Sequence, residues 1–229
     1  MIRDAGFSLS TFLAASTKNR CEVSGNSTDS QIGPANRLLF HDLGAKLCKI
    51  VMDMITPLSP GTSKVDSYKQ IYAQFSALIE GESDFLANAA NLTAVLYHLL
   101  PDVNWVGFYL AQGEYLVLGP FQGKPATPRI PIGKGVCGRA ASKQETVVVP
   151  DVEKVEDHIV CDPASRSEIV VPLLNWGKLS GVLDIDSPVL NRFDEEDREG
   201  LESLVSLFLS SLTSNDLPDF EALAKDAKA

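Results

Sequence analysis

Apolar residues change their spacing twice along this chain, and the order of those spacings limits what it can fold into. Tyr68, Ile71, Tyr72, Phe75, Leu78 and Ile79 recur at helical intervals, which gives one apolar helix face. Gly81 follows as a stop. A second helix is capped by Ser83 or Asp84, carries Phe85, Ala89, Leu92, Leu96 and Leu99 on one face, and ends before Pro101. The period then drops to two. Residues 105–110 and 115–118 flank the turn Gln112-Gly113-Glu114 and read as a hairpin. Residues 129–132 form a short strand candidate, and 135–141 open a short helix. Residues 146–149 are a β-branched run. Residues 168–174 and 178–186 form a second hairpin across Asn175-Trp176-Gly177. The helical period returns with Leu201, Leu204, Val205, Phe208 and Leu212, behind a cap at Asp194 with Asp197 three residues on. Helices grouped at both ends of an antiparallel sheet predict an α+β fold.

The flanks lack this order. Residues 1–62 read as an N-terminal extension. It is polar and turn-rich around Cys21-Glu-Val-Ser-Gly-Asn-Ser, with one apolar stretch, 38–55, fit for a helix before Pro57, Pro60 and Gly61. Residues 63–215 form the expected domain and 216–229 a tail. A formal net charge of -10 argues against nucleic acid and anionic membranes as partners. No apolar stretch reaches the roughly 18 residues that span a bilayer. Cys21, Cys48, Cys137 and Cys161 show neither a CxxC pair nor zinc-type spacing, and the chain is not a small disulfide scaffold. Together these features predict a reducing, cytoplasmic setting. Arg3, Lys18 and Arg20, with little acid before Glu22, weakly resemble a mitochondrial transit peptide, and Asp4 counts against that.

Four groups of residues carry chemical possibilities. Alternation along 105–110 puts Trp105, Gly107 and Tyr109 on one strand face, a notch walled by rings that suits a methyl or thioether; ordinary core packing is the plainer alternative. Asp184 and Asp186 share a face and repel each other. Water or a bound cation would stabilise them, an ammonium fits well, and a divalent metal lacks a convincing ligand set in the sequence. Glu168 opens a strongly apolar strand, so it is either a desolvated, neutral, proton-donating carboxyl or a strand-end acid facing water. Cys137 lies between Gly135 and Gly138, where backbone amides could approach a ligand. Cys161 lies in a polar loop-like segment close to His158, and a Cys/His pair would activate a thiol. Neither cysteine sits in an apolar stripe, unlike the inert-looking Cys48.

Taken together, the segments Asn104-Trp-Val-Gly-Phe-Tyr109, Gly119-Pro-Phe-Gln-Gly-Lys124, Arg129-Ile-Pro-Ile-Gly-Lys-Gly-Val-Cys-Gly138, His158-Ile-Val-Cys-Asp162 and Gly181-Val-Leu-Asp-Ile-Asp-Ser187 resemble the free methionine-(R)-sulfoxide reductases, which are single GAF domains. The resemblance spans about residues 67–212. It implies a central antiparallel sheet with helices packed on it, and a pocket for a whole free amino acid. Trp105 and Tyr109 would wall the substrate methyl, and Asp184 and Asp186 would hold its ammonium. Glu168 would assist protonation of the sulfoxide oxygen, and Cys161 would be the attacking thiolate. A thioredoxin-type dithiol protein would restore the enzyme, with no metal or organic cofactor. The resemblance leaves room for a homodimer. One departure stands out: the family commonly has a first cysteine ten residues before Cys137, and this chain has Thr127 there. Cys137 is then expected to resolve Cys161, with an externally resolved or an inactive enzyme as the alternatives. The rival readings are a non-catalytic GAF sensor of a nucleotide or small metabolite, and a cysteine redox switch acted on directly by oxidants.

Overall fold

In a computed structural model, residues 55–213 are described, apart from 160, 161 and 176. The chain divides into Met1–Leu47 and Cys48–Ala229, and the fold below belongs to the second unit. The helix expected over 38–55 falls outside the described residues except for Ile55, and the tail 216–229 falls outside altogether. The end of the expected extension is packed. Ile55 and Leu58 lie against the core, and Thr56 exchanges two hydrogen bonds with the Gln74 side chain, at 2.6 and 3.2 Å.

Helix α1 (Lys64–Leu78) is capped by Ser63, and helix α2 (Phe85–Leu99) by Asp84, whose side chain accepts from the Ala87 amide at 2.8 Å. Helix α2 buries the face that the spacing predicts, and α1 buries Tyr68, Ile71 and Phe75 of its face but leaves Tyr72, at its edge, 39% exposed. Strands β1 (Trp105–Gln112) and β2 (Tyr115–Gln122) form the first hairpin, followed by β3 (Arg129–Pro131), helix α3 (Gly135–Lys143) and β4 (Val147–Val149). A 3-10 turn (Val152–Lys154) leads toward the second hairpin, β5 (Ser167–Asn175) and β6 (Lys178–Ser187), and helix α4 (Glu195–Ser210) closes the domain. The six strands run β3-β2-β1-β6-β5-β4, and every paired neighbour is antiparallel. This is the expected α+β architecture.

The cap of α4 shows why aspartate serves where a capping box favours glutamate. Asp197 Oδ2 accepts from the Asp194 amide at 2.9 Å and pairs with Lys64 at 2.6 Å. Its Oδ1 accepts from Tyr68 Oη and Arg192 Nη1, both at 2.9 Å. A short side chain keeps this fully buried carboxylate at the junction of α1 and α4, where four donors meet it.

Strand alternation splits the interior in two. Val106, Phe108 and Leu110 of β1 join Ile169, Val171, Leu183 and Ile185 in a core under α1, α2 and α4. Trp105, Tyr109, Val170 and Val182 point to the other face, against Val136, Cys137, Ala140 and Ala141 of α3. The large core holds the helical layer. The smaller one holds the candidate site.

Candidate active site

Three strands bring the site together on the α3 side of the sheet. In the antiparallel register Trp105 lies opposite Asp186, and Asp186 lies opposite Glu168. One row across β1, β6 and β5 therefore carries an indole and two carboxyls. The next row places Gly107 opposite Asp184 and Asp184 opposite Val170. Helix α3 covers these rows. That is why Asp184 and Asp186 are 1% and 3% exposed and do not lie on a solvated face. Glu168 is likewise buried and does not turn out to water.

The α3 helix sits this close because of Gly138. A Cβ there would stand 2.5 Å from the Pro131 carbonyl oxygen, and the Gly133 amide donates to the Gly138 carbonyl at 2.8 Å. The glycines beside Cys137 thus serve chain packing, and their amides are used inside the protein. Gly138 N donates to Lys134 O at 3.0 Å, and Gly135 N to Asp157 Oδ2 at 3.2 Å. This corrects the expectation that these amides wait for a ligand.

Cys137 is buried, and its Sγ lies 3.8 Å from Glu168 Oε1. The other carboxyl oxygen of Glu168 lies 3.3 Å from His158 Nε2, although that contact lacks hydrogen-bond geometry. Asp157 pins the His158 segment to α3 through Gly135 N and through Arg139, at 3.0 Å. Sequence reasoning set His158 beside Cys161; the fold puts it against Glu168. Nothing periodic in that loop could have signalled the contact. Cys161 itself lies outside the described residues.

Burial drives the electrostatics of the cluster. It raises the pKa of Glu168 well above the usual carboxylate range, and the Asp186 charge adds to the effect. Asp184 is raised by burial and by Glu168, and Asp186 by burial and by Asp184. Burial, then the Arg139 charge, lowers the pKa of His158. Both directions favour neutral forms, which argues against a fixed ion pair at the 3.3 Å contact. Cys137, His158, Glu168, Asp184 and Asp186, with Ile130, Val136 and Ile159, line a small cavity of about 10 Å3, room for about one water.

Trp105 and Tyr109 are fully buried on the same face, with stacked rings 5.9 Å apart. The notch at Gly107 is taken up by the indole itself. A Cβ on Gly107 would meet Trp105 Cη2 at 2.3 Å and Phe121 Cβ at 2.6 Å. Phe121 of β2 stacks on the indole at 5.6 Å and is a third ring that β1 alone could not reveal. Trp105 Nε1 donates to Lys124 O at 3.1 Å, and Tyr109 Oη donates to the backbone carbonyl of Thr127 at 2.9 Å. Lys124 in turn pairs with Asp162 at 3.0 Å.

The chain that carries these rings, acids and thiol has known relatives. Residues 84–211 match the GAF domain family. The free methionine-R-sulfoxide reductase of Escherichia coli is 48% identical over 160 residues, which cover 70% of this chain and 97% of that protein. The Saccharomyces cerevisiae protein of the same name is 43% identical over 161 residues, 67% of this chain and 89% of that one. The X-ray structure of the Neisseria meningitidis free methionine-R-sulfoxide reductase in complex with its substrate superposes with a TM-score of 0.65 at 43% identity, covering 69% of this chain and 95% of that one. The chain therefore belongs to the GAF-domain family of free methionine-R-sulfoxide reductases.

Proposed function

We propose that the chain reduces free L-methionine-(R)-S-oxide to L-methionine through its cysteines. The observation that carries this reading is the buried row of Trp105, Asp186 and Glu168, beside Asp184 and within reach of a thiol. Asp184 and Asp186 hold the substrate ammonium. A cation between them supplies the charge that burial otherwise denies two carboxylates, so substrate binding draws off their protons. Trp105 and Tyr109 form the apolar wall for the methyl group. The cavity of about 10 Å3 is far smaller than an amino acid, so its side chains rearrange to admit one.

The Cys161 thiolate attacks the sulfoxide sulfur while the Glu168 carboxyl protonates the oxygen. The S–O bond breaks, methionine leaves, and Cys161 carries the oxygen as a sulfenic acid. The Cys137 thiol then attacks the Cys161 sulfur. Water departs and a disulfide forms. A thioredoxin-type dithiol reduces that disulfide by two electrons. The sum is sulfoxide plus two thiols giving sulfide, disulfide and water. Cys137 takes the resolving role because Thr127 cannot form a disulfide.

The deciding assay gives purified protein the R and S epimers of free methionine sulfoxide with a dithiol, and measures methionine. Turnover of the R epimer alone is expected. Binding without turnover would make the chain a sensor. Trapping the oxidised protein should yield a Cys137–Cys161 bridge, and its absence would remove Cys137 from the resolving role.

A further inference from the structure

We propose that Cys137, Glu168 and Asp184 form a binding site for a thiophilic divalent cation of the zinc class. One donor atom from each of the three lies within 4.8 Å of the others, and all three residues are buried. One of the three pairs has a separation close to what the metal requires. Zn–S near 2.3 Å and Zn–O near 2.1 Å at a tetrahedral angle place sulfur and oxygen about 3.6 Å apart, and Cys137 Sγ stands 3.8 Å from Glu168 Oε1.

A second, independent feature points to a ligand. Asp184 is 1% exposed, and its Oδ1 has no hydrogen-bond partner, a costly state for a buried acceptor. It borders the same small cavity as the other two donors. A cavity of about 10 Å3 suits an ion or one water. Among the described residues, no lysine or arginine forms an ion pair with Glu168, Asp184 or Asp186. Among the described residues, the basic side chain in contact is His158, at 3.3 Å from Glu168 Oε2, where it can orient the carboxylate from outside the coordination sphere.

The donor set selects the class of metal. A thiolate is a soft ligand that favours zinc-like ions, whereas magnesium and calcium need more oxygen donors than this site offers. Three protein ligands leave a fourth position for water. Coordination displaces whatever protons the three groups carry to solvent, and one thiolate with two carboxylates leaves a net charge of -1 on the metal cluster.

The test uses the full-length reduced chain titrated with cobalt(II), then zinc. A thiolate-to-cobalt charge-transfer band should saturate at one ion per chain and vanish when zinc is added. Cys137→Ser should abolish the band. Asp184→Asn and Glu168→Gln, near-isosteric and checked for unchanged circular dichroism, each remove a direct ligand and should weaken zinc by at least the roughly 10-fold that an outer-shell change costs, in competition with a chromophoric chelator. Cys21→Ser and Cys48→Ser should leave both readouts unchanged. A band that survives Cys137→Ser, zinc affinity indifferent to Asp184→Asn, or no saturable binding would overturn the site. Neither readout involves methionine sulfoxide, so the cation site stands or falls apart from the reductase reading.

Discussion

Asp184 keeps an unpartnered oxygen inside the protein, next to two more buried acids, and this has a measurable thermodynamic sign. An acid whose pKa is raised on folding contributes its full stability below its unfolded value, near about 4. That contribution is lost as pH rises toward and through the folded value, because the folded state must either hold the proton or bury the charge. Glu168, Asp184 and Asp186 are all raised. Asp184→Asn should therefore stabilise the fold at neutral pH by about 1–3 kcal/mol, with the advantage over the parent growing between pH 5 and pH 8. Taking the difference between variant and parent cancels His158, whose lowered pKa works in the opposite direction. Urea midpoints across that pH range test this. A difference that stays flat or shrinks with pH would mean that Asp184 is already ionised and compensated. The same substitution should raise KM for the sulfoxide, since the ammonium loses a partner.

Helix α3 shows how an element carries a site. In most helices Gly→Ala gains about 1 kcal/mol. At Gly138 the added Cβ would meet a backbone carbonyl at 2.5 Å, which cannot swing away as a side-chain tip can. Overpacking of this kind costs about 1–3 kcal/mol, so Gly138→Ala should lower the urea midpoint. An unchanged or higher midpoint would mean that α3 slides freely on β3. The element order, the faces of β1 and β6 and the caps of α2 and α4 were legible in the sequence, because period and capping chemistry are local properties; the Ser63 cap of α1 was not read. Local pattern also put Trp105 with Tyr109 and Asp184 with Asp186. It could not tell a solvated acid face from a covered one, since the cover is α3, a glycine-containing helix with little apolar signature of its own. Phe121 over the indole and His158 against Glu168 depend on strand register and loop path, which no single segment encodes.

At the scale of the whole molecule, the sheet separates two apolar clusters. The larger includes α1, α2 and α4, and the acids lie on the opposite side with the smaller one. Among the described residues, which begin at 55, these two clusters make up the interior. A chain beginning at Cys48, where the second unit starts, should unfold in one cooperative transition with stability within about 0.5 kcal/mol of the full chain. Denaturant melts monitored by tryptophan fluorescence and by circular dichroism would check it. Non-coincident transitions would show that the first residues carry part of the fold.

The anchor of Tyr109 has a bearing on ancestry. Its hydroxyl binds the main-chain oxygen of residue 127, a group that every amino acid supplies. The ring wall therefore places no demand on which side chain stands at that position. On the proposed thiol chemistry, a lineage could exchange a thiol for a hydroxyl there and resolve its oxidised cysteine elsewhere while this hydrogen bond stays as it is.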